Sequence, residues 1–237
     1  MQIEISGIKI DVRKKKIKNL NIAVAPPNGE VRVSAPMHLS DEIIENILVT
    51  KIGWIQKQQE KFKSRPRAAE PQYVSGEILY VFGQPYVLRV EEGKKKNSLW
   101  LSGNEAVLTV RKESTPSQRK AVVCEWYRAQ LKEKIELYLP KWEKITGLHC
   151  SSWQVKSMTT RWGTCNTKTR KIWLNLRLAA KPVACLEYVI LHELAHLKVP
   201  NHGRDFVAIM DKFMPDWAQM KKLLNGLDVG DISKKSE

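Results

Sequence analysis

Three of the five histidines in this chain fall within one short run, HELAHLKVPNH, from His192 to His202. His192 and His196 are four positions apart, about one helical turn, so on a helix both imidazoles leave the same face. Glu193 follows the first histidine directly. In the H-E-x-x-H arrangement two histidines bind zinc and the glutamate acts as general base. His202 stands six residues beyond His196, and a chain that turns sharply between them brings it in as a third ligand. Three histidines on one zinc ion would keep a fourth position for water, the donor set of a hydrolase.

The element that must carry this chemistry begins at Pro182, in PVACLEYVILHELAHLKV. Proline fits the start of a helix, where its missing N–H costs nothing. Leu186, Val189, Ile190, Leu191, Leu194, Ala195 and Leu197 make the segment apolar on nearly every side, the signature of a buried helix. Two histidines and a glutamate there cost a few kcal/mol each in desolvation unless something binds them, and a metal ion supplies that partner. Val199-Pro200-Asn201 stops the helix. Asp205 and Asp211, on the next expected helix, are the rivals of His202 as third ligand. The spacing to His202 equals that of the metzincins, but their turn glycine is Val199 here, so the chain is not assigned to them.

The 237 residues suffice for one large or two small domains, and a 43% hydrophobic content with eight tryptophans suffices for real cores. Neither a secretory signal nor a run long enough to cross a membrane is legible, so a soluble, cytoplasmic protein without a membrane partner is expected. Cys124, Cys150, Cys165 and Cys185 form no C-x-x-C pair and read as structural thiols, with Cys165 filling space behind the metal. The net charge of +15 is shared almost evenly between residues 1–112 and 113–237, so it is no tail. Such an excess favours acidic partners, nucleic acid or nucleotides among them.

The pattern predicts an α+β protein. A β-rich N-terminal domain over 1–112 includes one long helix, which Ser40 caps and which runs to about Lys63. Pro26-Pro27-Asn28-Gly29 reads as a turn between strands, and SRPRAAEPQ as a looser segment. Further strands are expected near 78–82, 86–90, 99–101 and 107–110. RKESTPSQ marks the boundary to a catalytic domain over 113–237. That domain should open with a helix from about Ser117 to Leu139 that ends before Pro140. Strands at 153–158 and 171–177 follow, joined by TTRWGTCNTKTR, as a small sheet packed on the H-E-x-x-H helix. Helices from Gly203 to Phe213 and from about Pro215 complete the chain. No internal repeat is apparent.

TRWGTC (Thr160–Cys165) with the strand IWLN ending at Asn175, YVILHELAHL (Tyr188–Leu197) and NHGRDF (Asn201–Phe206) give the chain a resemblance to the YgjP-like metallopeptidase family, related to the SprT-type zincins. The KIGWIQ helix and the GEILYVFGQPY strand pair extend the likeness over nearly the whole chain. Thr164 stands where family members commonly have serine. The resemblance implies a zincin-like catalytic domain, with zinc on His192, His196 and His202, Glu193 as catalytic base, and a protein or peptide substrate. Arg161, Trp162 and Asn175 match motif positions and are candidate substrate-binding residues. Arg161 is read either as a ligand for a carboxylate or phosphate or as a structural arginine packed on Trp162.

A zinc-dependent peptidase is therefore the leading expectation, with the strand KIWLNLR offering an open edge to an extended peptide. A zinc-dependent nucleotide pyrophosphatase is the alternative, favoured by the charge and Arg161 but lacking a glycine-rich phosphate loop. A nucleic-acid-associated protease, or a non-catalytic nucleic-acid module with structural zinc, stands behind these. The intact Glu193 and the absent fourth protein ligand weigh against the latter.

Overall fold

The computed structural model describes residues 1–25, 29–63, 71–93 and 96–226, and over them the chain is an α+β protein. The expected turn at 26–29 and the looser segment at 64–72 lie largely outside the described residues, as does the polar tail from 227.

The first unit, Met1–Ala68, has four strands and a helix: β1 (Gln2–Ile5), β2 (Ile8–Lys15), β3 (Asn21–Ala25), β4 (Glu30–Pro36) and α1 (Asp41–Lys63). Alternation in β2 and β4 puts Ile10, Val12, Val31, Val33 and Ala35 on one face, where they bury against Ile44, Leu48 and Ile55 of α1. Ser40 Oγ accepts the Ile43 N–H at 3.3 Å, and Asp41 and Glu42 stand in the first turn, the cap expected from sequence.

The second unit, Ala69–Glu237, opens with β5 (Ile78–Val81), β6 (Gln84–Glu92), β7 (Ser98–Ser102) and β8 (Glu105–Val110), then α2 (Pro116–Thr146). Its sheet order, β5-β6-β8-β7, reproduces the β1-β2-β4-β3 order of the first unit. The pairing senses also match: a hairpin, a parallel central pair, then an antiparallel edge. Both first hairpins turn through two left-handed residues, Ser6-Gly7 and Phe82-Gly83, the tight turn that suits strand twist. The chain thus contains a four-strand-and-helix unit twice, a repeat that the residues themselves do not announce.

The division of the chain falls at Ala68/Ala69 rather than at 112. The physical reason is the core: Leu79, Leu88, Leu99 and Leu108 of the second sheet bury with Val123, Tyr127 and Leu131 of α2 and with Leu178 and Ala179. Backbone bonds from Phe82 N to Ala179 O (2.8 Å) and Gly83 N to Ala180 O (3.3 Å) tie that sheet to the segment leading into the histidine helix. A Cβ at Gly83 would meet Pro182 at 2.8 Å, so the contact needs glycine.

Helix α2 also corrects an expectation, running through Pro140 to Thr146. Its buried face, Val123, Tyr127, Leu131, Ile135, Leu139 and Trp142, continues past the proline. Trp142 Nε1 and Lys141 Nζ both donate to Glu187 Oε2, at 2.9 and 2.6 Å. Packing here outweighs the one backbone bond that proline removes.

The third sheet holds β9 (Ser152–Lys156), β10 (Gly163–Asn166) and β11 (Lys171–Asn175) in the order β10-β11-β9. Sequence reading places the open edge on KIWLNLR, but β11 is the central strand, parallel to β9 and antiparallel to β10. The edge is β10, inside the stretch expected to be a connection. A 3-10 turn, Leu176–Ala180, leads to α3 (Val183–His196), α4 (Arg204–Phe213) and α5 (Trp217–Gly226). The sheet packs on α3 through β10 and β11. No helix among the described residues is long and apolar enough to cross a membrane.

Candidate metal centre

Helix α3 buries Leu186, Val189, Ile190, Leu191, Leu194 and Ala195, which fixes it in the core and leaves one polar face, that of His192, Glu193 and His196. After His196 the chain folds back: Leu197 N bonds Leu194 O, and Lys198 N and Val199 N both bond Ala195 O. This turn brings His202 onto the pair. One ring nitrogen from each of His192, His196 and His202 lies within 4.8 Å of the others, and His202 Nε2 is 3.1 Å from His192 Nε2. The three ring centroids are 4.7–4.9 Å apart. Asp205 and Asp211 are outside this cluster, and Asp211 accepts the Trp217 indole N–H at 2.7 Å.

Phe206, the first large apolar residue of α4, lies 4.7–4.9 Å from all three imidazoles, centroid to centroid, and is buried. It wedges the rings in place from the side away from solvent. His196 Nδ1 is 3.1 Å from Val199 O. That bond makes Nδ1 the protonated nitrogen and leaves Nε2 with its lone pair free for a metal.

Burial makes the site electrically unusual. The His192 pKa is lowered to about 3 by desolvation first, then by His196, His202 and Lys221. Desolvation also lowers His196. The Glu193 carboxyl is pushed up to about 8 by burial, against which the positive charge of Arg161 works. His192 Nδ1 and Glu193 Oε2 are buried without a hydrogen-bond partner among the described residues. Buried polar atoms ordinarily have partners. Two orphans beside three converging imidazoles, all held neutral, fit a missing cation.

The cavity in front of these groups measures about 540 Å³. The β10 edge forms one wall, and Gly163 is its closest approach: a Cβ there would come within 2.5 Å of Glu193 Oε1. Arg161, Trp162 and Cys165 also line the cavity. The cations over the Trp162 ring are Arg177 at 5.0 Å and Lys181 at 5.4 Å, and Arg161 faces the cavity instead. Burial, and then Glu193, push the Cys165 thiol up to about 11, so it stays protonated and is no nucleophile at neutral pH. Tyr188, one turn before His192, is another lining residue, and burial raises its phenol to about 12.

Asn175 is not at the cavity. It is 1% exposed, and its side chain knots the preceding loop. Nδ2 donates to Met158 O (2.8 Å) and Arg161 O (2.6 Å), while Oδ1 accepts from Arg177 N (3.1 Å). Asn175 thus holds Arg161 and Trp162 at the site rather than touching what enters it. Sequence reading missed the wall from α5, where Lys221, Leu224 and Asn225 line the cavity and Asn225 Oδ1 accepts the Trp162 indole N–H at 3.1 Å.

A buried helix with two histidines a turn apart, a third folded back onto them and a carboxyl alongside defines a site of the metallopeptidase class. Residues 18–226 match the model of the YgjP-like metallopeptidase domain, and the chain belongs to the YgjP-like metallopeptidase family. Solved structures similar to part of it are the metallopeptidase zymogens abylysin of Pyrococcus abyssi and jannalysin of Methanocaldococcus jannaschii. The first is 20% identical with a TM-score of 0.37, the second 23% identical with a TM-score of 0.36. Each match covers 40% of this chain and 97% of the other. No curated protein matches the chain.

Proposed function

We propose that the protein is a zinc-dependent peptidase in which His192, His196 and His202 hold one zinc ion and Glu193 is the general base. The observation that carries this reading is Glu193 itself: a buried carboxyl, its Oε2 unpartnered, adjacent to the three imidazoles and facing a cavity. Zinc bound there would polarise the scissile carbonyl and lower the pKa of a water toward about 7. An extended peptide adds to the free edge of β10, which aligns its backbone along the cavity. Glu193 takes the proton of the attacking water and passes it to the leaving amine. The positive charge of zinc offsets the burial that holds Glu193 neutral in the metal-free protein, so the carboxylate is available as a base once metal is present.

The three-histidine set favours zinc over harder cations, which prefer oxygen ligands. The test is zinc content and turnover measured together, with unfolded protein and nucleoside triphosphates offered side by side. Peptide cleavage that is lost with zinc in His196→Ala supports the reading. Triphosphate hydrolysis without peptide cleavage would transfer the same residues to phosphoanhydride chemistry. The excess of basic residues further suggests nucleic acid as a partner, and such binding must weaken steeply as salt rises. No binding at low salt would remove that partner.

A further inference from the structure

The walls of the cavity are unequally charged. Glu193 is the one acidic side chain among the described residues that line it, and it lies buried at the floor. Arg161, on the loop before β10, and Lys221, on α5, line it as cations. Neither forms an ion pair or a side-chain hydrogen bond among the described residues; Lys221 lies 5.8 Å over the Trp217 ring. Their fields reach the centre from two directions, Arg161 acting on Glu193 and Lys221 on His192. The two walls are joined through Trp162, next to Arg161 in sequence, whose indole N–H bonds Asn225, one helical turn from Lys221. Arg177 and Lys181 over the same ring add positive charge behind that wall.

Unpaired cations in a partly enclosed cavity attract and orient an anion. We propose that the cavity selects peptides bearing a carboxylate close to the scissile bond, read by Arg161 and Lys221. This rests on the peptidase reading above and adds a substrate class to it. The carboxylate is either an Asp or Glu side chain or the free C-terminus. Thr160, Thr164 and Thr167, the other polar lining from this wall, are neutral and leave the charge preference to the two cations.

Lys221 is exposed on α5, so its replacement leaves the fold intact. The zinc-loaded wild type and Lys221→Glu are offered a degenerate peptide mixture in free-acid and C-terminally amidated forms, and the cut sites are sequenced. The wild type should enrich Asp or Glu beside the cut, or cut next to the C-terminus only when it is not amidated; the two patterns assign the source of the carboxylate. Lys221→Glu should lose that preference by on the order of tenfold, as expected for one charge-assisted contact, and shift toward Lys or Arg. A second measurement does not depend on turnover: alanine-based peptides carrying one Glu or one Gln, free or amidated, are titrated against zinc-loaded Glu193→Gln. The carboxylate-bearing peptides should bind on the order of tenfold more tightly, and adding Lys221→Glu should abolish the difference. Cutting without charge preference, or a preference unchanged in Lys221→Glu, overturns the proposal while the peptidase reading stands. No cutting by the wild type counts against the peptidase reading, and equal or absent binding in the titration then overturns the proposal independently.

Discussion

Gly163 and Glu193 are packed so closely that a single methyl group cannot be placed between them: a Cβ on Gly163 would lie 2.5 Å from Oε1 and 2.8 Å from Cγ of Glu193. The general base is therefore seated against the backbone of the edge strand that would carry the substrate. Gly163→Ala must push the Glu193 side chain away or bend β10. Because neither change touches a histidine, zinc should remain bound, while turnover falls about a hundredfold, the cost of misplacing a catalytic group by about 1 Å. Zinc analysis alongside peptide turnover checks this, and full turnover would show that the seat is not needed.

Phe206 is the common neighbour of the three imidazoles. Phe206→Leu keeps an apolar residue but removes the flat face on which the rings rest. Zinc affinity should drop by about 10–100-fold, the range typical of groups that orient metal ligands. Competition with a chelator of known affinity measures it, and an unchanged affinity would assign Phe206 to core packing alone.

The raised pKa of Glu193 makes the stability of the metal-free protein depend on pH. A carboxyl whose folded pKa lies above its ordinary 4.5, at about 8, contributes stability that is complete below pH 4.5 and is lost as pH rises toward 8. His192, lowered to about 3, acts in the opposite sense, contributing above pH 6.5 and losing that contribution as pH falls. Urea unfolding of metal-free wild type and Glu193→Gln at pH 5 and pH 8 separates the two, since only the wild type carries the Glu193 dependence. The wild type should lose stability relative to the variant on going to pH 8, by on the order of a few kcal/mol. Parallel pH profiles would mean that Glu193 ionises freely in the metal-free fold.

Asn175 ties Met158, Arg161 and Arg177 together beneath the cavity. Asn175→Ala leaves those backbone groups without their partner, which costs about 1–3 kcal/mol. The loop carrying Arg161 and Trp162 should loosen, raising KM more than it lowers kcat, with zinc retained. A thermal melt and a kinetic profile of the zinc-loaded variant check both parts. An unchanged KM would separate the loop from substrate binding.

What the sequence made legible follows from where its chemistry is concentrated. Helix α3 could be read because its apolar residues surround three fixed polar positions, and His202 because Val199-Pro200 forces a turn. Strand β10 could not: Gly163-Thr164-Cys165-Asn166 has no apolar alternation, and only its pairing with β11 makes it a strand. Pro140 read as a stop because the contact between Trp142 and Glu187 is remote in sequence. The repeated sheet topology rests on hairpins at Ser6-Gly7 and Phe82-Gly83, two glycine turns among many glycines. The boundary was misplaced because the residues around 112 look like a linker, while the packing of Leu88 and Leu108 against α2 lies in the fold. Lys221 and Asn225 entered the site through the packing of α5 on α3, which no local pattern signals.

The central claim is that Glu193 takes a proton from the attacking water while three histidines hold the metal. Zinc content and peptide turnover of Glu193→Gln, measured on the same preparation, test it most directly. The substitution is nearly isosteric and removes no proposed ligand, so one zinc ion per chain should remain while turnover falls by about 10²–10⁴, the usual worth of a general base. Zinc-bound Glu193→Gln with near-wild-type turnover would contradict the account.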